Sequence, residues 1–146
     1  MSTTLLDLNI LTALLWPDHE HHTAAHAWFS KRAPAPWATC PLTQLGFVRL
    51  VTNPAFSPEA LSPPQAIALL AQNIAHERHE FWSENLQVAN AVKGMEPRLS
   101  GYRQITDAYL LALAKQRKGV LATFDRGLQN LAAGVFESAL EIVATH

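Results

Sequence analysis

Apolar positions along this chain alternate between short unbroken runs and longer stretches with helical spacing. The unbroken runs Thr3–Leu8, Trp37–Cys40 and Val120–Phe124 fit strands buried on both faces. His79–Trp82 reads as a short edge strand, and Ser138–Val143 as a final strand through Leu140-Glu141-Ile142-Val143. Helical spacing covers Ile10–Trp16, Thr23–Lys31, Leu42–Thr52, Gln65–Ala75 and Leu86–Val92, with one or two turns over Arg126–Leu131. A further helix opens at Gln104, and Gly119 breaks its pattern before the Val120 run. Asn9 is a candidate cap for the first helix, which Pro17 stops, and Pro41 suits the first turn of a later one. Ser57–Pro64 and Lys93–Tyr102 read as loops because prolines and glycines interrupt any periodicity. Strands alternating with helices predict a three-layer α/β domain, with helices flanking a central, mostly parallel sheet. Right-handed crossovers then bring the carboxyl ends of neighbouring strands to one edge.

The stretch Gln104–Asp125 organises this reading. Ile105, Leu110, Leu111, Leu113 and Ala114 give its helix a broad apolar face, and Tyr109 and Leu113 are expected to pack in the core. Asp107 falls in the first helical turn, and Asp125 falls just past the strand. Asp7 ends the first apolar run in the same way. Each acid alone has an ordinary role as a strand-end cap, a first-turn partner for the helix dipole, or an N-cap. Open α/β sheets bind ligands at the carboxyl ends of their strands. Acids gathered at two strand ends and one helix start therefore point to a bound divalent cation.

Composition narrows the class. A chain of 146 residues, 49% hydrophobic, is expected to form one globular domain spanning 1–146. No apolar run reaches a membrane-spanning length, so the expectation is a soluble, cytoplasmic protein. The single cysteine, Cys40, excludes an internal disulfide and is expected to be a small buried hydrophobe. A net charge of −1 gives no general bias toward duplex nucleic acid, although Arg49, Arg98, Arg103, Lys115, Arg117, Lys118 and Arg126 lie near the acidic segments in sequence. His22 and His26 share a helix face, and His76 and His79 are similarly close, but neither pair has a third ligand at zinc-motif spacing. Trp28 and Phe29 read as core, and no nucleophile elbow or phosphate-cradling glycine loop is present.

Four blocks in order carry a family resemblance: Leu-Leu-Asp7-Leu-Asn9, then Cys-Pro-Leu-Thr43-Gln44-x-Gly46-Phe-x-Arg49, then Gln-Ile-Thr106-Asp107-Ala-Tyr, then Leu-Ala-Thr123-Phe-Asp125-Arg126-Gly-Leu. Together they resemble a PIN domain, and more narrowly a VapC-type toxin, the ribonuclease half of a VapBC toxin–antitoxin pair. The resemblance implies a Mg²⁺- or Mn²⁺-dependent endoribonuclease, a homodimer, and a VapB-type antitoxin whose tail covers the pocket. The family's acid positions fall on Asp7, Gln44, Asp107 and Asp125, with Asp7, Asp107 and Asp125 implied as the metal ligands. Asn9, Thr43, Thr106, Thr123 and Arg126 are the implied supporting residues. One position departs, since Gln44 stands where the family carries glutamate. Hard divalent cations favour carboxylates, so metal binding and catalysis are expected to be weaker. The alternative is a catalytically impaired PIN-fold protein that binds antitoxin or RNA without efficient cleavage. An aspartyl-phosphate phosphotransferase ranks lower, because Asn9 stands where that chemistry places a second acid.

Overall fold

A computed structural model describes residues 2–145. Among them, five strands form one sheet in the order β3-β2-β1-β4-β5. The strands are β1 (Thr4–Leu6), β2 (Trp37–Thr39), β3 (His79–Phe81), β4 (Val120–Thr123) and β5 (Leu140–Ile142). All four pairings are parallel, so the sheet goes beyond the mostly parallel expectation. The helices are α1 (Leu8–Leu15), α2 (His22–Arg32), α3 (Pro41–Val51), α4 (Pro63–Ile74), α5 (Val88–Ala91), α6 (Gln104–Gln116) and α7 (Leu128–Leu131).

Two apolar cores lie on opposite faces of the sheet, which gives the three layers. On one face Leu6, Ile10, Leu11, Phe47 and Val51 pack together from β1, α1 and α3. On the other, Leu110, Leu111 and Leu113 of α6 meet Leu5, Leu121 and Met95. Every residue of α6 from Ala108 to Ala114 is buried, because this helix is covered by the sheet on one side and by α5 and the segment before β5 on others. Tyr109 is buried as expected, and its hydroxyl donates to Leu86 O at 2.7 Å.

Several boundaries differ from the sequence reading. The first strand is shorter, and α1 opens at Leu8 with Asp7 as its cap. Asn9 therefore lies inside the helix and caps nothing, correcting the expectation. Helix α4 opens at Pro63, because Ser62 and Gln65 form a reciprocal capping box and proline is favoured where no N–H partner is needed. The two prolines assigned to the preceding loop are thus its first turn.

The turn from α6 into β4 sets the geometry of the site. The Gly119 N–H donates to Ala114 O at 2.8 Å, and a Cβ at Gly119 would lie 2.5 Å from Thr3 O and 2.8 Å from the Trp82 ring. Only glycine allows this approach. The helix reverses sharply into the strand, so the start of α6 returns to the edge where β4 ends. That is the reason Asp107 and Asp125, far apart in sequence, share one region.

Candidate active site

β1 and β4 are hydrogen-bonded neighbours, with Leu6 opposite Ala122. The Asp7 N–H donates to Ala122 O at 3.0 Å, holding the ends of the two strands together. Thr123, fully buried, is the hub of the polar cluster there. Its hydroxyl donates to Asp7 Oδ2 at 2.8 Å and accepts from the Asn9 amide at 3.1 Å and from the Asp125 N–H at 3.1 Å. Asp7 Oδ1 accepts the Leu8 N–H at 2.8 Å, which is the helix cap. Asn9 Oδ1 accepts the Phe124 N–H at 3.3 Å, and Asp125 Oδ1 accepts the Gly127 N–H at 2.8 Å. Thr123 thus bonds Asp7 and the Asp125 backbone directly, and Asn9 braces Thr123 and the Phe124 N–H behind them.

Asp7, Asp107 and Asp125 wall a single open cavity of about 300 Å³, together with Asn9 and the floor residues Leu8 and Leu50. Charge crowding is severe there. Burial, then the neighbouring Asp7 and Asp125 carboxylates, push the Asp107 carboxyl up to about 7. Asp7 is also pushed up, first by burial and, less, by Asp125, against the lowering pull of Thr123 and the Leu8 N–H. Three carboxylates that repel one another around one cavity are a donor set suited to a hard divalent cation. Among the described residues, no three acidic, histidine or cysteine side chains close on one point tightly enough for a direct three-ligand clasp. A hard cation that retains part of its water shell needs fewer direct side-chain ligands than such a clasp supplies.

The other implied residues fall differently. Gln44 does not wall the cavity. Its amide Nε2 donates to Thr39 Oγ1 at 3.0 Å, and Thr39 Oγ1 in turn lies 2.7 Å from His79 Nε2. Thr43 is buried in the capping box of α3, its hydroxyl bonded to the Cys40 N–H and C=O at 3.1 Å each, so its role is to start the helix. Thr106 and Arg126 are exposed and lie outside the cavity wall. Cys40 is buried as expected, and its thiol is pushed up to about 11, chiefly by burial. Of the histidine pairs, His22 Nδ1 and His26 Nε2 bond to Ala13 O and Leu14 O at 2.7 and 2.9 Å, and His79 Nε2 lies 2.7 Å from Thr39 Oγ1.

Two wall residues escaped the sequence reading, Thr12 and His19. Thr12 sits in the apolar face of α1 and looks like core. His19 sits in a polar turn with two more histidines close behind it, where nothing marks it out.

Residues 4–134 match the family model described as "PIN domain". The chain is 40% identical over 136 residues to Ribonuclease VapC39 of Mycobacterium tuberculosis, covering 92% of this chain and 98% of the relative. It is 44% identical over 128 residues to Ribonuclease VapC38 of the same organism, covering 88% and 89%. In fold it is similar to the crystal structure of VapBC2 from Rickettsia felis bound to a promoter DNA fragment, with a TM-score of 0.65, 11% identity and coverage of 97% and 99%. FitAcB from Neisseria gonorrhoeae matches with a TM-score of 0.59 at 18% identity, covering 97% of each chain. No helix among the described residues is long and apolar enough to cross a membrane. The extent of these matches leads to one assignment: the chain belongs to the PIN-domain family, in its VapC-type branch.

Proposed function

We propose that this chain is a metal-dependent endoribonuclease, the toxin of a type II toxin–antitoxin pair. The observation that carries the reading is that Asp7, Asp107 and Asp125 line one cavity, where burial first and the two neighbouring carboxylates second push Asp107 up to about 7. The relatives named as ribonucleases support the RNA substrate class. Mg²⁺ or Mn²⁺, when bound, supplies charge neutralisation for the scissile phosphate and acidifies an attacking water.

The chain's own residues then have separable tasks. Asp7 is buried and locked by Thr123 and the Leu8 N–H, so it presents a fixed carboxylate at the end of β1. Asp125 is exposed and anchored through one oxygen to Gly127, leaving Oδ2 for a cation or its water. Asp107 faces both from α6 and completes the negative charge. Asn9 and Thr123 keep Asp7 and the backbone of Asp125 in register and exclude alternative rotamers.

A VapB-type antitoxin partner follows the neighbours' titles, VapBC2 and FitAcB; the homodimer and the antitoxin tail over the cavity are what the family resemblance implies. Gln44 is read as lowering activity, because an amide stands where the resemblance implies a carboxylate, and its side chain is bonded to Thr39 rather than set in the cavity wall. A second reading, a PIN-fold protein that binds antitoxin or RNA but cuts poorly, is favoured by one observation: the Gln44 amide is engaged with Thr39. The test is cleavage of RNA in Mn²⁺ by the chain and by Gln44→Glu. Cutting by the chain itself supports the enzyme. Cutting only by Gln44→Glu supports the impaired reading. No cutting by either form rejects the enzyme reading.

A further inference from the structure

A second hollow opens beside the acid cavity, between the start of α1 and the later turns of α3. It holds about 490 Å³ and is lined by Leu8, Gly46, Arg49, Leu50, Thr52 and Asn53. Leu8 and Leu50 also floor the acid cavity, so the two hollows share a wall. Leu8 directly follows Asp7, and the groove therefore begins one residue from a carboxylate of the site.

The direction of Arg49 follows from the helix. Gly46, Arg49 and Leu50 stand at i, i+3 and i+4 on α3 and share one face. Two contacts fix where that face looks. A Cβ on Gly46 would lie 3.1 Å from Leu8 Cδ2, so Gly46 is turned onto Leu8. Leu50 reaches the acid cavity. Around the helix axis, Leu50 stands about 40° to one side of Gly46 and Arg49 about 60° to the other. Arg49 is thus on the groove side, across Gly46 from the acids.

Arg49 also has nothing else to do. It is exposed, and among the described residues its guanidinium has neither an ion-pair partner nor a hydrogen bond. Other arginines are tied down: Arg32 to Glu141, Arg98 to Leu131 O and Gly94 O, and Arg117 to Ser83. No carboxylate lines the groove, and the Thr52 hydroxyl is turned back onto Val48 O at 2.7 Å. A free planar fork of N–H donors, in a groove continuous with three acids, matches a phosphate group.

An RNA strand needs such a group here. A cation over the acids offsets their repulsion of the scissile phosphate. Phosphates flanking it on the strand still feel the acids within the screening distance of about 8 Å at physiological salt. We propose that the Arg49 groove seats the RNA phosphate next to the scissile one, gripped by the Arg49 guanidinium. This rests on the ribonuclease reading and adds a second point of hold on the same strand. Arg49 binds the flanking phosphate and touches neither the reacting atoms nor the metal.

The test compares the full chain with Arg49→Gln, Arg49→Lys and, as a control, Lys31→Gln. Lys31 lines a separate cleft with Val143 and Ala144. Binding of a random-sequence pool of labelled single-stranded RNA is read by fluorescence anisotropy in Ca²⁺ over a series of KCl concentrations. Arg49→Gln should weaken binding by roughly tenfold and flatten the slope of log K against log salt by about 0.7, the signature of one lost single-strand phosphate contact. Arg49→Lys keeps the charge and should keep the slope, with affinity within about threefold. Lys31→Gln should match the parent in both. In cleavage of the same pool in Mn²⁺, Arg49→Gln should raise KM by roughly tenfold and leave kcat within about threefold. Its Tm should stay within about 2 °C, as for an exposed residue without partners. Parent-like affinity and slope in Arg49→Gln overturn the proposal, leaving the groove to a protein partner and the ribonuclease reading intact. Equal losses in Arg49→Gln and Lys31→Gln overturn it too, because they mean diffuse attraction. A loss confined to kcat overturns it by moving Arg49 to the scissile phosphate. A parent chain that neither binds nor cuts the pool overturns both this proposal and the ribonuclease reading.

Discussion

Replacing Asp107 with asparagine should stabilise the metal-free protein while removing its activity. Asparagine keeps the shape of the carboxyl and cannot ionise. In the folded chain the Asp107 carboxyl holds its proton up to about pH 7, whereas the ordinary value is 3.8. The unfolded chain releases the proton near the lower value, so the folded state binds more protons across that window. Folding stability therefore falls as pH rises from about 4 to about 7, and the full cost is present above that. The displacement corresponds to roughly 4 kcal/mol at 1.36 kcal/mol per factor of ten. Asp107 keeps part of its surface in water, and screening reduces the usable share to about 1–2 kcal/mol. For a chain of this length that is a rise in Tm of about 3–6 °C. The assay is thermal unfolding in EDTA for the parent and Asp107→Asn, at pH 5 and pH 8. The gain should be full at pH 8 and fall to roughly a third to a half of that at pH 5, where the folded carboxyl is protonated but the unfolded one is already largely ionised. Adding Mn²⁺ at pH 8 should raise the parent's Tm more than the variant's. A gain independent of pH, or a loss of stability at pH 8, would refute the argument that burial and the neighbouring carboxylates disfavour the ionised Asp107.

Three more outcomes are expected. Thr123→Val removes the hydroxyl that serves Asp7, Asn9 and the Asp125 backbone; urea unfolding should show a loss of about 1–3 kcal/mol, and Mn²⁺ binding should weaken with it. Leu113→Ala empties a fully buried position on α6 and should cost about 2–5 kcal/mol by the same measurement, with the cavity's chemistry intact in the fraction that remains folded. Gln44→Glu should increase the rate of RNA cleavage in Mn²⁺ by restoring the carboxylate that the resemblance implies at this position; a rate equal to or below the parent's contradicts the role given to it.

Much of the site was legible because it depends on topology. Apolar runs ending in acids imply parallel strands with a shared carboxyl edge, and β1 beside β4 delivers Asp7 and Asp125 there. The break at Gly119 implied a helix turning back into a strand, which brings Asp107 to the same place. Other features turn on side-chain direction, which periodicity does not encode. Asp7 ends a strand and caps a helix at once, so apolar Leu8 was read as strand and Asn9 as the cap. Pro63 and Pro64 looked like loop because the helix-opening role of proline depends on the Ser62 cap before them. Thr43 and Thr106 share blocks with site residues, yet the first is turned into a capping box and the second out to solvent. Thr12 was hidden because a threonine on an apolar helix face looks like core until its hydroxyl is found without a partner.

The claim on which all this depends is that Asp7, Asp107 and Asp125 jointly hold one divalent cation. Calorimetric titration of Mn²⁺ into the parent chain and into Asp7→Asn, Asp107→Asn and Asp125→Asn measures it directly. The account predicts saturable binding to the parent, and an affinity at least about tenfold weaker in each variant, with each still folded. Equal Mn²⁺ affinity in the parent and all three variants would contradict it.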